Sequence, residues 1–86
     1  MKRNKTIHNK QYSDLVEKLY LERKCLGLSQ AEVGNCLNMT QSEISKIETG
    51  DRRMDVLEFK EILKVYRVSE NTKLNQLVID FLGLKQ

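Results

Sequence analysis

The stretch LSQAEVGNCLNMTQSEISKIETG, residues 28–50, decides the fold of this chain. Ser29 and Thr40 stand eleven positions apart, and each precedes a short segment with apolar residues at helical spacing. A hydroxyl at an N-cap accepts a hydrogen bond from a free backbone N–H of the first helical turn. Gly50 suits a helix C-cap, because glycine adopts the left-handed conformation without steric cost. The stretch therefore predicts two short helices, the first of which ends near Leu37.

A sharp turn has to join these helices, and Asn38-Met39 is the segment left for it. Such a turn needs a residue at positive φ, which Asn tolerates better than most residues, so we expect Asn38 to adopt it. Gly34 falls where we expect the second helix to cross the first closely, with chance placement as the alternative. The pattern as a whole predicts a helix-turn-helix motif.

Length and composition favour a single all-α domain. Eighty-six residues allow one modest core, and aromatic residues are only 6% of a chain that lacks Pro and Trp. Residues 1–10 contain four of the fifteen basic residues and no acid, whereas twelve acids outnumber the basic residues of the remainder. We interpret residues 1–11 as a flexible basic arm, with a tail of no function as the alternative. We expect residues 12–86 to form the one folded domain.

Apolar periodicity adds three helices to the two of the motif, which gives a five-helix domain. We predict the first helix from Tyr12 or Ser13 to about Leu26, and the fourth after an N-cap at Asp55. The apolar faces assigned to the first four helices comprise Leu15, Val16, Leu19, Tyr20, Ala31, Val33, Leu37, Ile44, Ile47, Val56, Leu57, Phe59, Ile62, Leu63 and Tyr66.

A fifth helix is predicted over about residues 70–83, starting at Ser69 or Asn71. It carries an apolar stripe, and four helices already make a compact core, so part of the stripe could cover a second subunit. The alternative is that the whole stripe packs on its own domain. The residues that we assign to a dimer interface are Leu74, Leu77, Val78 and Phe81.

Several functional classes have no support in the sequence. Cys25 and Cys36 lack a CxxC spacing and a paired His, so we interpret them as small, mostly buried residues rather than a disulfide or metal site. The single His8 lies in the arm, and no catalytic triad or glycine-rich phosphate loop occurs. We expect no enzyme activity, no cofactor and no metal. The lack of a long apolar run or secretory signal predicts a cytoplasmic protein that does not enter a membrane.

From about Leu15 to Ser69, these residues resemble the Xre/Cro-like, phage-repressor type of helix-turn-helix transcriptional regulators. The matching pieces are Arg23, Gly27-Leu28-Ser29-Gln30, Gly34, Thr40-Gln41-Ser42 and Ile44-Ser45-Lys46-Ile47-Glu48-Thr49-Gly50. The chain departs from the family pattern at Asn38, where Gly is frequent, at Met54, where Pro is common, and at Arg67, where Gly usually ends the fourth helix.

The outer face of the third helix predicts a DNA-reading surface. A helix that enters the major groove presents only its outer side chains, and here these are Gln41, Ser42, Ser45 and Lys46. The resemblance puts base reading at three of them, Gln41, Ser42 and Lys46. It also implies phosphate contacts at Gln30, Thr49, Arg52 and Arg53, with Asp51 and Asp55 offsetting the charge of the two arginines. Glu43 lies at the margin of this face.

The resemblance further implies a buried, structural ion pair between Arg23 and Glu48. The function that we predict is a sequence-specific regulator of transcription, a repressor rather than an activator, that binds double-stranded DNA as a homodimer on a palindromic operator. The alternative is an antitoxin that represses its own operon and binds a toxin protein. A second alternative is a module that has lost DNA binding and uses the fifth helix for assembly.

Overall fold

The computed structural model describes residues 9–84, which contain five α-helices and no strand. The helices are α1 (Lys10–Cys25), α2 (Gln30–Leu37), α3 (Gln41–Thr49), α4 (Val56–Val65) and α5 (Thr72–Leu82), and a 3₁₀ turn (Val68–Glu70) precedes α5. The predicted five-helix, all-α fold is confirmed. None of the helices in this part of the chain is long and apolar enough to cross a membrane.

The first helix begins earlier than the sequence predicted. The Asn9 side chain accepts a hydrogen bond from the Tyr12 backbone N–H at 3.1 Å, so Asn9 is the N-cap. Lys10 and Gln11, which we had assigned to the basic arm, therefore belong to α1. The rest of the predicted arm, including His8, lies outside the described residues.

Three helices begin with reciprocal capping boxes. The Ser29, Thr40 and Asp55 side chains each accept a hydrogen bond from the backbone N–H three residues later. The glutamate at that third position accepts a hydrogen bond from the backbone N–H of the capping residue. In α3 this glutamate is Glu43. The N-caps predicted for α2, α3 and α4 are therefore confirmed, and Glu43 serves the cap of α3.

The turn between α2 and α3 is as tight as its sequence predicted. Asn38 adopts the left-handed conformation with φ 60° and ψ 40°. The neighbour of Gly34 differs from our prediction, because a Cβ there would lie 2.6 Å from the Met39 carbonyl oxygen rather than against a crossing helix. Met39 also donates its N–H to the Gly34 carbonyl at 2.8 Å, which holds the turn against α2. At the end of α4, Arg67 takes a left-handed φ of 60° in place of the family's glycine.

Residues from all five helices meet in one core. Its buried members are Leu15, Leu19, Val33, Ile44, Ile62, Tyr66 and Leu74. The buried Glu22 carboxylate on α1 accepts a hydrogen bond from the Asn71 side chain and forms an ion pair with Lys73 at 3.3 Å. These contacts fasten the start of α5 to the end of α1, and nothing in the local pattern of either helix indicated them.

Several residues assigned to the interior lie at the surface. Val56 and Leu57 are 80% and 68% exposed, because the side chains of α4 that pack in or against the core begin at Phe59. The prediction that both cysteines are mostly buried was wrong, since Cys25 and Cys36 are exposed. Tyr20 and Ala31 are exposed as well. Apolar character alone did not show how narrow a stripe of each short helix the other helices cover.

Candidate nucleic-acid interface

The recognition face of the motif, defined as Gln41, Ser42, Ser45 and Lys46, lies on the outer side of α3. Ile44 and Ile47 are only 2% and 4% exposed and fix that helix on the core by its inner side. Gln41, Ser42 and Lys46 are exposed, and Ser45 is half-buried. The structure therefore brings together the four residues that the sequence assigned to base reading.

The size and chemistry of this face suit a major groove. The nine residues of α3 make a rod about 14 Å long, and the groove of B-DNA admits one α-helix. The face offers an amide, two hydroxyls and an ammonium group. An amide can bond both edge atoms of adenine, and an ammonium group can donate to guanine O6 or N7.

Gln30 lies at the start of α2, beside the amino end of α3. Its Nε2 donates to Glu48 Oε1 at 3.0 Å, and its Oε1 accepts from Gln41 Nε2 at 3.4 Å. A pocket of about 500 Å³ opens here, and both glutamines line it together with Lys24 and Ser29. Lys24 is an exposed cation at the end of α1 that the sequence analysis did not single out.

Arg23 and Glu48 form a buried ion pair behind this surface. Arg23 Nε donates to Glu48 Oε2 at 2.6 Å and Nη2 to Oε1 at 2.9 Å, with side-chain exposures of 7% and 10%. The hydrogen bond to Glu48, opposed by desolvation, raises the pKa of Arg23 above its ordinary value. Arg23 Nη1 also donates to the Leu28 carbonyl at 2.8 Å, so the pair joins α1, the approach to α2 and the end of α3.

Arg52 has a partner that the sequence analysis missed. Its Nη1 and Nη2 donate to the two carboxylate oxygens of Glu58 at 3.0 and 2.7 Å. This bond raises the pKa of Arg52 and lowers the pKa of Glu58. From the sequence we expected only Asp51 and Asp55 to offset the charge of Arg52. The capping box of α4 turns the Glu58 side chain back toward the preceding loop. Much of the positive charge of Arg52 is therefore offset within the subunit.

Thr49, the last residue of α3, and Arg53, in the loop after it, are exposed. The Arg53 guanidinium lies 4.9 Å from the centre of the Tyr12 ring, a cation–π distance. The Tyr12 hydroxyl accepts the Met54 backbone N–H at 2.9 Å, a bond that the proline common at this place in the family could not donate. The Thr49 hydroxyl is 3.1 Å from an Asp51 carboxylate oxygen. Tyr12 thus positions the loop that carries the arginines.

A capped helix-turn-helix whose second helix presents an outward polar face is the arrangement of a DNA-binding protein. The sequence matches a family described as helix-turn-helix over residues 19–72, and the chain belongs to this family, the Xre/Cro-like group. It is a family of DNA-binding transcriptional regulators and not an enzyme family. No curated protein matches the chain.

Proposed function

We propose that this protein is a sequence-specific repressor that places α3 in the major groove of double-stranded DNA. The observation that carries the proposal is the outward exposure of Gln41, Ser42 and Lys46 on a helix whose opposite side is buried. In this arrangement the amide, hydroxyl and ammonium groups face base edges without any change in the fold. The protein acts in the cytoplasm and regulates by occupying its operator, with no catalytic step.

Contacts to the phosphates would flank α3 on both sides. Gln30 and Lys24 line the pocket at the start of α2, where free backbone N–H groups also favour an anion. Thr49 and Arg53 are exposed on the other side. Arg52 contributes through the guanidinium N–H groups that Glu58 does not use, so its contribution is smaller than that of Arg53. These contacts fix the position of the helix and carry no sequence information.

We further propose a homodimer on a palindromic operator, with half-sites about 34 Å apart. The predicted interface needs one change, because Leu74 is 1% exposed and belongs to the core of its own subunit. Leu77, Val78 and Phe81 are half-buried, and the Phe81 ring on α5 makes an edge contact with the Phe59 ring on α4. Exposed apolar side chains at this end of the domain are Val56, Leu57, Leu82 and Leu84. We propose that a second subunit covers them.

The second candidate function is an antitoxin that represses its own operon and binds a toxin. One feature favours it, a groove of about 750 Å³ between α1 and α5 with Leu21, Leu77 and Phe81 in its lining. No residue of α2 or α3 lines this groove, so a bound protein would leave the recognition face open. Co-expression with the product of the adjacent open reading frame tests it. A stable complex that Leu21→Glu disrupts supports the antitoxin, and independent purification of the two proteins contradicts it.

Selection of bound sites from a random oligonucleotide pool tests the main proposal. We expect enrichment of a palindrome whose half-sites are one helical turn apart. The affinity for that site should fall linearly with salt on logarithmic axes, because neutralised phosphates release counterions. A pool that shows no enrichment after repeated rounds, with folded protein, contradicts sequence-specific binding.

A further inference from the structure

A continuous set of hydrogen bonds connects the buried ion pair to the recognition face. Arg23 donates to Glu48, Glu48 accepts from Gln30, and Gln30 accepts from Gln41. In this set the Glu48 side chain is about nine-tenths buried, Gln30 is half-buried and Gln41 is exposed. The set runs from α1 through the end of α3 to α2, and returns to the start of α3.

The chemistry of Glu48 fixes the direction of every bond in this set. A carboxylate paired with a guanidinium offers only acceptor atoms, so the Gln30 amide has to present its NH₂ group to Glu48. The Gln30 carbonyl oxygen then points toward Gln41, and it can only accept. Gln41 in turn has to present its own NH₂ group to Gln30. An amide that could otherwise rotate by half a turn is therefore held in one orientation.

That orientation decides what Gln41 offers to a base. One N–H of its Nε2 is used by Gln30, which leaves the other N–H and the carbonyl oxygen for the groove. Adenine presents an acceptor at N7 and a donor at N6, whereas guanine presents acceptors at both N7 and O6. A fixed carbonyl oxygen accepts from adenine N6 and repels guanine O6. A freely rotating amide could turn its NH₂ group toward both guanine acceptors.

We propose that Glu48, acting through Gln30, is a positioning residue that makes Gln41 select adenine over guanine. This inference rests on the proposed function, and it gives Glu48 a role beyond its structural ion pair with Arg23. Gln30 is then more than a phosphate contact, because it transmits the acceptor character of Glu48 to the recognition face.

Base preference at the position read by Gln41 tests this role, since loss of a structural or phosphate contact weakens binding to all bases alike. The single variant Gln41→Ala identifies that position, which is the one in the selected site where the preference for adenine disappears relative to wild type. Gln30→Met should reduce the adenine-over-guanine ratio there by about fivefold or more. Arg53→Ala is the control, because it removes a proposed phosphate contact and leaves the hydrogen bonds among Glu48, Gln30 and Gln41 in place. It should lower the affinity for all sites and keep the preference.

The double variant Arg23→Met with Glu48→Met removes the acceptor while leaving no unpaired charge in the interior. This double variant should reduce the adenine-over-guanine ratio as Gln30→Met does. Circular dichroism is the control that tests whether it is folded. An unchanged adenine-over-guanine ratio in Gln30→Met, in a protein that still selects its operator, overturns the positioning role alone. A wild-type protein without any base preference overturns both this role and the proposed function.

A measurement without DNA separates the two further. In ¹H–¹⁵N spectra of the free protein, the side-chain amide resonances of Gln41 should shift in the Arg23→Met, Glu48→Met variant. The same double change made in a Gln30→Met background should leave those resonances where Gln30→Met alone puts them, because the connection is already broken. Equal shifts in both backgrounds contradict transmission through Gln30, whatever the protein binds.

Discussion

Arg23 on α1 and Glu48 on α3 lie 25 residues apart in sequence, yet two hydrogen bonds of 2.6 and 2.9 Å join their side chains. Both side chains are about nine-tenths buried. Removing one partner leaves the other charge buried without compensation, which costs far more than the pair itself contributes. The pair thus holds the end of the recognition helix and makes each of its members hard to replace alone.

We expect Arg23→Met or Glu48→Met alone to lower the free energy of unfolding by about 3–5 kcal/mol. Changing both residues to Met should cost much less than the sum of the two, because no charge is left unpaired. Urea denaturation measures all three variants. Lys10→Met, which breaks an exposed ion pair with Asp14, is the control and should have almost no effect. Additive single-variant costs would contradict a coupled pair.

Gly34→Ala should destabilise the protein by about 1–3 kcal/mol, because the added Cβ would lie 2.6 Å from the Met39 carbonyl oxygen. This sign opposes helix propensity, which favours Ala over Gly by about 1 kcal/mol. Asn35→Ala, at the exposed neighbouring position of α2, is the matched control and should be neutral or slightly stabilising. A higher melting temperature for Gly34→Ala would show that the turn can move away.

Lys46→Ala should change which sequences are bound, because its ammonium group lies on the recognition face. Arg53→Ala should weaken binding to all sequences about equally and reduce the salt slope by about one, as expected for a phosphate contact. Fluorescence anisotropy with the selected site and a scrambled site measures both effects. Identical losses on the two sites for Lys46→Ala would remove it from base reading.

Leu57→Glu combined with Leu82→Glu should yield a folded monomer, since both side chains are more than half exposed in the single subunit. Sedimentation velocity reports the oligomeric state, and binding to a full palindrome should weaken more than binding to one half-site. Leu74→Glu is the contrasting variant, and it should unfold the subunit because Leu74 is 1% exposed. If the first variant stays dimeric, the interface lies elsewhere.

Acid should weaken the cap of α4 through Glu58. Its hydrogen bond with Arg52 lowers the pKa of Glu58 in the folded protein below the ordinary value of about 4.3. The stabilisation is therefore complete above that ordinary value, and it is lost as the pH falls through the lowered pKa of the folded state. Melting temperatures between pH 6 and 3 should fall less steeply for Glu58→Gln than for wild type. Parallel curves would contradict the coupling.

Local sequence determined the helices of the motif and their ends. Ser29, Thr40 and Asp55 cap helices through hydrogen bonds to residues three positions away. Asn38 forms its turn by the left-handed conformation of its own backbone. Such interactions need no distant partner, so their residue types and spacing are enough to predict them. The outer face of α3 could also be predicted from the sequence, because Ile44 and Ile47 mark the buried side of that helix.

Only the tertiary structure decided which groups meet across the fold. The approach of Arg53 to Tyr12, the burial of Glu22 beside Lys73 and the enclosure of Leu74 each depend on how distant helices pack. A stripe of apolar residues shows that a helix has a covered side, but its width depends on the neighbours. Gln30, Gln41 and Glu48 were likewise each assigned a role from the sequence, but their hydrogen bonds to one another depend on how α2 packs against α3.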